Sequence, residues 1–422
     1  MSMKHETDSP AGLNRREFLT RMSGIPVAAG LGKDIAGAMD RSMPAMLPLK
    51  DQFEIKGTFI NAAYTHPMSK GARAAIHRFL DERMQNGLAP GYDMGQDRKS
   101  SIELFSKIMN VDPGELAWVP STMVGENHIV NALSIPGSKA RVVTDAYHFE
   151  GSLYMYGELA KQGVDVEVLR PRNNGIDLEQ IEEAITPGTK LVAICSVSSV
   201  NGFAHDIKEV CRIAHAKGAL VYVDMIQSAG AVPMDLHDCG VDFAACATYK
   251  WLMGDFGVGF LYVRKDRLSM LKRVQHGYRQ IKSFESHVFP FEPAGEKVFD
   301  EEPRDTTGGY FEVGTLGNEG VAGLQYSLSL IDRIGVKAIH EHRRPMIERM
   351  QEELPKLGFL PMTPKSSVSS IVSFAYEGAD KLLKPKLDKA GVNIQCYPHR
   401  VRISPSFYND MNDIETLIKA LR

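Results

Sequence analysis

From about residue 100 the chain alternates between two hydrophobic periods. SSIELFSKIMNV, residues 100–111, spaces its apolar side chains three and four apart and predicts a helix. Short runs rich in β-branched and aromatic residues follow: ARVVTDA, VDVEVLRP, KLVAICSV, ALVYVDM, FAACATY and VGFLYVR. Several are continuously apolar, as strands covered on both faces are. Helical stretches lie between them, LEQIEEAIT and IKEVCRIAHAKG, the second closed by Gly218. Such repetition predicts an α/β fold with a mainly parallel sheet and right-handed crossovers. After VGFLYVR the pattern loosens. Residues 270–310 mix aromatics, Pro, Gly and charges and predict a long functional loop. A helix is expected over about 318–354, broken near Gly335, followed by the alternating segments SIVSFAY and NIQCYPHRVRIS and a last helix, NDIETLIKALR. These predict a smaller α+β C-terminal domain.

Composition adds little to this and excludes some functions. The 422 residues are 43% hydrophobic and 24% charged, an ordinary balance for a large catalytic domain plus a smaller one. The formal net charge is −3, with no long basic run to suggest nucleic acid or an anionic membrane surface. The five cysteines, Cys195, Cys211, Cys239, Cys246 and Cys396, form no C-x-x-C pair. That argues against a zinc ribbon and a disulfide framework, and no metal is expected.

The N-terminus stands apart. NRREFL at 14–19 sets Arg15-Arg16 before Phe18-Leu19, and the weakly apolar RMSGIPVAAGLG leads to the small residues Ala36, Gly37 and Ala38. This resembles a twin-arginine export signal, read by the export machinery, with cleavage between about residues 38 and 46. A frayed basic helix is the alternative. No stretch approaches the roughly 18 apolar residues of a membrane span, so the mature protein is expected in the periplasm, with no stable membrane span. The expected segments are therefore 1–38 as signal, 39–65 as an N-terminal segment, 66–315 as the large domain, and 316–422 as a bridging helix and the small domain.

Four landmarks carry candidate chemistry. In VPSTMVGENHIVNAL, residues 119–133, a strand ends and Ser121 and Thr122 open a helix, whose first N–H groups and hydroxyls suit an anion such as phosphate. Ser-Thr is also a routine helix cap. In VYVDMIQSAG, Asp224 ends a buried run, a costly place for a carboxylate without a positive partner. A protonated pyridine nitrogen would serve; capping the next turn is the other use. In ATYKWLMGDFGVGFLYVR, Lys250 follows an apolar strand, where desolvation would lower its pKa and make it a nucleophile or base. FEVGT, 311–315, reads in isolation as a glycine turn.

In this order and spacing the landmarks resemble the class V aminotransferase family of fold-type I pyridoxal-phosphate (PLP) enzymes, over roughly residues 55–422. That family includes cysteine desulfurases, kynureninase and isopenicillin-N-epimerase-like proteins. The resemblance implies that PLP is bound covalently by Lys250, which then shuttles protons, while Asp224 pairs with the pyridine nitrogen. Gln227 would bond the phenolic oxygen. Ser121, Thr122 and the Met123 amide would hold the phosphate, assisted by Tyr249, and by Thr315 from a neighbouring subunit in a homodimer with shared active sites. Phe149 of DAYHFEGSLYMY would stack on the ring, with His148 as second choice. Arg402 of R-x-S would grip the carboxylate of an amino-acid-like substrate.

Two departures bear on the reaction. SVSSVNG offers Ser199 where many relatives have an asparagine, altering one contact to cofactor or substrate. Cys396 does not match the desulfurases' catalytic cysteine, which disfavours persulfide chemistry, and Tyr249 replaces their histidine before the lysine. The reading favoured is an exported enzyme acting on the amino group of an amino acid or peptide-derived metabolite. Its layout is similar to the periplasmic PLP enzyme that modifies pyoverdine siderophores. A C–S lyase or amino-acid epimerase, and a non-catalytic PLP-fold binding protein, are the alternatives.

Overall fold

Seven strands form one sheet, the last six of them in the short β-rich runs read from the sequence: β1 (Leu116–Val119), β2 (Arg141–Asp145), β3 (Asp165–Leu169), β4 (Thr189–Cys195), β5 (Leu220–Asp224), β6 (Phe243–Ala247) and β7 (Gly259–Val263). Their order is β1-β7-β6-β5-β4-β2-β3. All neighbouring pairs from β6 to β3 are parallel, and β7 alone runs antiparallel to both its neighbours, β6 and β1. The mainly parallel sheet expected from the sequence is therefore present. This computed structural model describes residues 46–86 and 94–422. The export signal expected at 1–38 lies outside the described residues.

The continuous apolar runs follow from burial on both faces. Along β4, Val192 and Ile194 join one core cluster while Leu191 and Ala193 join a second. Along β5, Val221 and Val223 face the first and Tyr222 the second. The period of two is intact, but both phases are apolar because helices cover each face.

The covering helices include α1 (Lys70–Asn86), α2 (Met94–Met109), α3 (Thr122–Ala132), α4 (Glu150–Lys161), α5 (Ile207–Ala216) and α6 (Asn318–Ile334). On α5, Asp206 caps the N-terminus by accepting the Glu209 N–H at 3.1 Å. Gly218, at φ +77°, follows its end as expected. The predicted break also appears: Gly335, at φ +85°, separates α6 from α7 (Val336–Glu353).

Beyond α7 a four-stranded antiparallel sheet contains β10 (Leu360–Pro361), β11 (Val372–Ala375), β12 (Gln395–Tyr397) and β13 (Arg400–Ile403), in the order β10-β11-β13-β12. It shares a core with α7 and α8 (Met411–Leu421) through residues such as Met350, Phe374, Val401 and Leu417.

Residues 270–310 depart from expectation. They contain an antiparallel pair, β8 (Ile281–Ser286) with β9 (Phe299–Pro303), where only a long loop was expected. Neither IKSFES nor FDEEP has a buried face, so no hydrophobic alternation betrays them. Backbone pairing, the Phe284–Phe299 ring pair at 5.0 Å and the Lys282–Glu302 ion pair at 2.6 Å hold the ribbon instead. Among the described residues no helix is long and apolar enough to cross a membrane, and no cluster of three or more His, Cys, Asp or Glu could hold a metal ion.

Candidate active site

Open parallel sheets place ligands at the carboxyl ends of their strands. Asp224 is the last residue of β5, paired in register with Cys195 of β4 and Ala245 of β6. It is 4% exposed, and one carboxylate oxygen accepts the Ile226 N–H at 2.9 Å. Burial pushes its pKa upward, so its charge requires a cation nearby. Lys250 lies three residues beyond β6. Burial lowers its pKa from the ordinary lysine value to about 8; the Asp224 carboxylate acts in the opposite direction and the Arg402 cation adds to the lowering. The turn after the lysine is tight. Met253 sits at φ +54°, its carbonyl accepting the Ser327 hydroxyl at 2.9 Å, and a Cβ on Gly254 would lie 2.4 Å from the Thr248 hydroxyl.

The head of α3 adjoins these strand ends. Ser121 caps it, its hydroxyl oxygen accepting the Val124 N–H at 3.2 Å. The Thr122 hydroxyl oxygen accepts the Ala247 N–H at 2.9 Å, which ties α3 to the end of β6. Neither hydroxyl proton has an acceptor among the described residues, and the Met123 amide of an 11-residue helix lies beside them, so Ser121, Thr122 and Met123 could cradle an anion. Gln227 is held at both ends of its amide. Its nitrogen donates to the Ala63 carbonyl at 3.1 Å and its oxygen accepts the Trp251 indole N–H at 2.9 Å. One amide proton remains for a ligand.

The two aromatic candidates diverge. Phe149 precedes α4 and is 40% exposed, whereas His148 is buried. His148 Nδ1 accepts the Phe149 N–H at 2.8 Å, so its Nε2 carries the ring proton, 3.3 Å from Glu126. Glu126 also accepts from Ser152 at 2.6 Å and Tyr156 at 2.8 Å. Burial opposes its charge, yet His148 and the two hydroxyls hold its carboxyl below the ordinary range. His148 thus faces an interior carboxylate, not an open face, and fixes the backbone that presents Phe149. Sequence reading missed Glu126 because nothing around it distinguishes an inward glutamate on α3. Replacing Glu126 with Ala strands the Ser152 and Tyr156 hydroxyls, and a loss of about 2–3 kcal/mol is expected, measured as a fall in urea midpoint at unchanged slope.

Arg402 stands on β13, 4% exposed, and donates through Nη1 to the Ser199 carbonyl at 3.1 Å. Its Nε is buried without a hydrogen-bond acceptor among the described residues. Ser199 therefore enters through its backbone. Tyr249 stacks on Phe256 with centroids 4.6 Å apart, and the Lys250 amine lies 5.8 Å from its ring centroid. The exposed Thr315 hydroxyl lies 2.8 Å from that of Tyr278, and Thr315 lines a cavity with Pro120 and Val124 beside the head of α3. Cys396 is on β12, packed against the small core, with burial pushing its thiol up to about 11.

A lysine of lowered pKa, a buried carboxylate and an anion cradle meet at one sheet edge. The class V aminotransferase family model matches residues 91–417. The chain belongs to that family. Within it, the chain is 26% identical to a probable cysteine desulfurase of Methanothermobacter thermautotrophicus, over 86% of this chain and 93% of the relative. It is 29% identical to the uncharacterized aminotransferase YcbU of Bacillus subtilis, over 74% and 80%. Among solved structures, the apo cysteine desulfurase of Thermococcus onnurineus superposes with a TM-score of 0.76 at 22% identity, covering 90% of this chain and 98% of that one. A C-DES mutant with glycine covalently linked to its PLP cofactor gives 0.78 at 20%, covering 89% and 99%. The fold is that of fold-type I PLP enzymes, and this class V member is a PLP-dependent enzyme. Its residues fit the cofactor: Asp224 has a buried charge to offer a pyridine nitrogen, the cradle offers donors to a phosphate, and Lys250 offers an amine.

Proposed function

We propose that this family member acts on the amino group of a carboxylate-bearing amino acid or peptide-derived metabolite, by transamination-type chemistry. The observation that carries this reading is the buried Arg402, whose Nε has no acceptor among the described residues, set where its charge reaches Lys250. A buried guanidinium with an unused donor suits a carboxylate in a two-bond pairing. When bound, PLP supplies an electron sink for charge developing on the substrate's α-carbon. The chain's own work is then to hold the carboxylate at Arg402, to move protons at the Lys250 amine, and to keep the Asp224 carboxylate charged. Parallel assays of keto acid, ammonia, sulfide and inverted amino acid test it. Keto acid formed in step with loss of substrate amine is the expected result, and sulfide alone would reject it.

The probable cysteine desulfurases among its relatives favour a second reading, a C–S lyase acting on a sulfur amino acid. A desulfurase that works through Cys396 is disfavoured, because that thiol is strand-bound and held protonated. Cys396→Ser is expected to change turnover less than about twofold, the scale of a substitution away from the reacting groups; loss of activity would revive the persulfide route. We further propose that the enzyme is exported through the twin-arginine pathway and works in the periplasm as a homodimer, Thr315 reaching the neighbouring subunit's phosphate site. Siderophore side-chain maturation is the role that export suggests. Arg15-Arg16→Lys-Lys should leave the protein in the cytoplasmic fraction; unchanged periplasmic recovery would refute the export reading.

A further inference from the structure

The strand that carries Arg402 carries a second cation on the same side. Val401 and Ile403 point into the small-domain core, so the alternate residues Arg400 and Arg402 face away from it. Both reach the same segment: Arg402 donates to the Ser199 carbonyl and Arg400 to the adjacent Val200 carbonyl. The Arg400 guanidinium lies over the Tyr397 ring, 4.1 Å from its centroid, which orients its plane. Burial lowers the pKa of both arginines. The one carboxylate near either is Glu150, which acts on Arg400 from a distance, while the Tyr397 hydroxyl is within hydrogen-bond reach of Arg400. Neither forms an ion pair with a described residue.

Arg402 is buried with its Nε unused and Arg400 is half-buried, so two like charges stand on one face of β13, an arrangement that an arriving anion would relieve. Their Cα atoms are about 7 Å apart, the repeat of two strand residues. We propose that Arg400 is a specificity-determining residue that binds a second carboxylate, making the substrate an amino acid with an acidic group three or so carbons beyond the first. This deepens the reading of Arg402 as the carboxylate grip and rests on it. Arg402 would orient the reacting end, and Arg400 would select diacids over monoacids.

Calorimetric titration of the holoenzyme with glutarate and with pentanoate, which have no amine to react, tests the proposal. The unmodified protein should bind glutarate about 10-fold more tightly than pentanoate, the scale of one charge-assisted hydrogen bond. Arg400→Gln should abolish that preference while leaving pentanoate binding as it was, which also shows the variant folds. Arg400→Lys should restore part of it. Arg402→Lys should weaken both acids. A glutarate preference that survives Arg400→Gln, or is absent from the unmodified protein, overturns the role of Arg400 alone. Binding of both acids that is indifferent to Arg402→Lys overturns the reading on which it rests.

Discussion

Lys250→Ala is expected to lower turnover by about 10⁴-fold or more, the upper end of what a positioned proton-transfer group supplies. The lysine is held where burial, aided by the Arg402 charge and opposed by Asp224, lowers its pKa to about 8. Only the neutral amine is a nucleophile, so the apo chain should capture PLP faster as the pH rises through about 8. It should then plateau well below the ordinary lysine range. Stopped-flow loading of apo protein across pH 6.5–10.5 reads this directly. A rate that climbs only near the ordinary lysine value would mean that the side chain is solvated and the site misassigned. Far-ultraviolet circular dichroism of the alanine variant separates lost chemistry from lost fold, because the side chain has no hydrogen bond to another described residue to lose.

The second large effect is expected at Asp224. Its carboxylate accepts one backbone N–H and is otherwise a buried charge at the end of β5. Asp224→Asn keeps the shape and removes the charge that would face a pyridine nitrogen. Breaking a buried ion pair costs about 3–5 kcal/mol, so cofactor affinity should fall by about 10²- to 10³-fold. Fluorescence titration of apo protein with PLP gives the dissociation constant. An affinity within a few-fold of the unmodified protein's would place the cofactor's ring elsewhere.

The residues that could be read from sequence are those whose local pattern is itself the signal. The sheet was legible because both faces of β4 and β5 are buried, and a run such as LVAIC has no other economical use in a globular chain. Asp224 was legible because a carboxylate closing such a run is expensive. Ser121 and Thr122 were legible as a helix start. Glu126, Trp251 and Arg400 were not. Their significance lies in what they meet across the fold: a histidine just ahead of the next helix, a glutamine one strand away, a carbonyl 200 residues earlier. The hairpin of β8 and β9 was hidden for the opposite reason, since it buries nothing and so leaves no periodic trace.

The tie between Gln227 and Ala63 has a temporal consequence. The segment around Ala63 is stitched to the far end of the chain: the Ile60 N–H meets the Asn393 carbonyl, the Ala62 N–H meets the Ser404 carbonyl, and the Ala63 N–H meets the Ser404 hydroxyl. During synthesis, Ala63 emerges long before the strand that anchors it. Until Ser404 has left the ribosome, the clasp that braces Gln227 is half made, and the nascent protein is a sheet without a finished pocket.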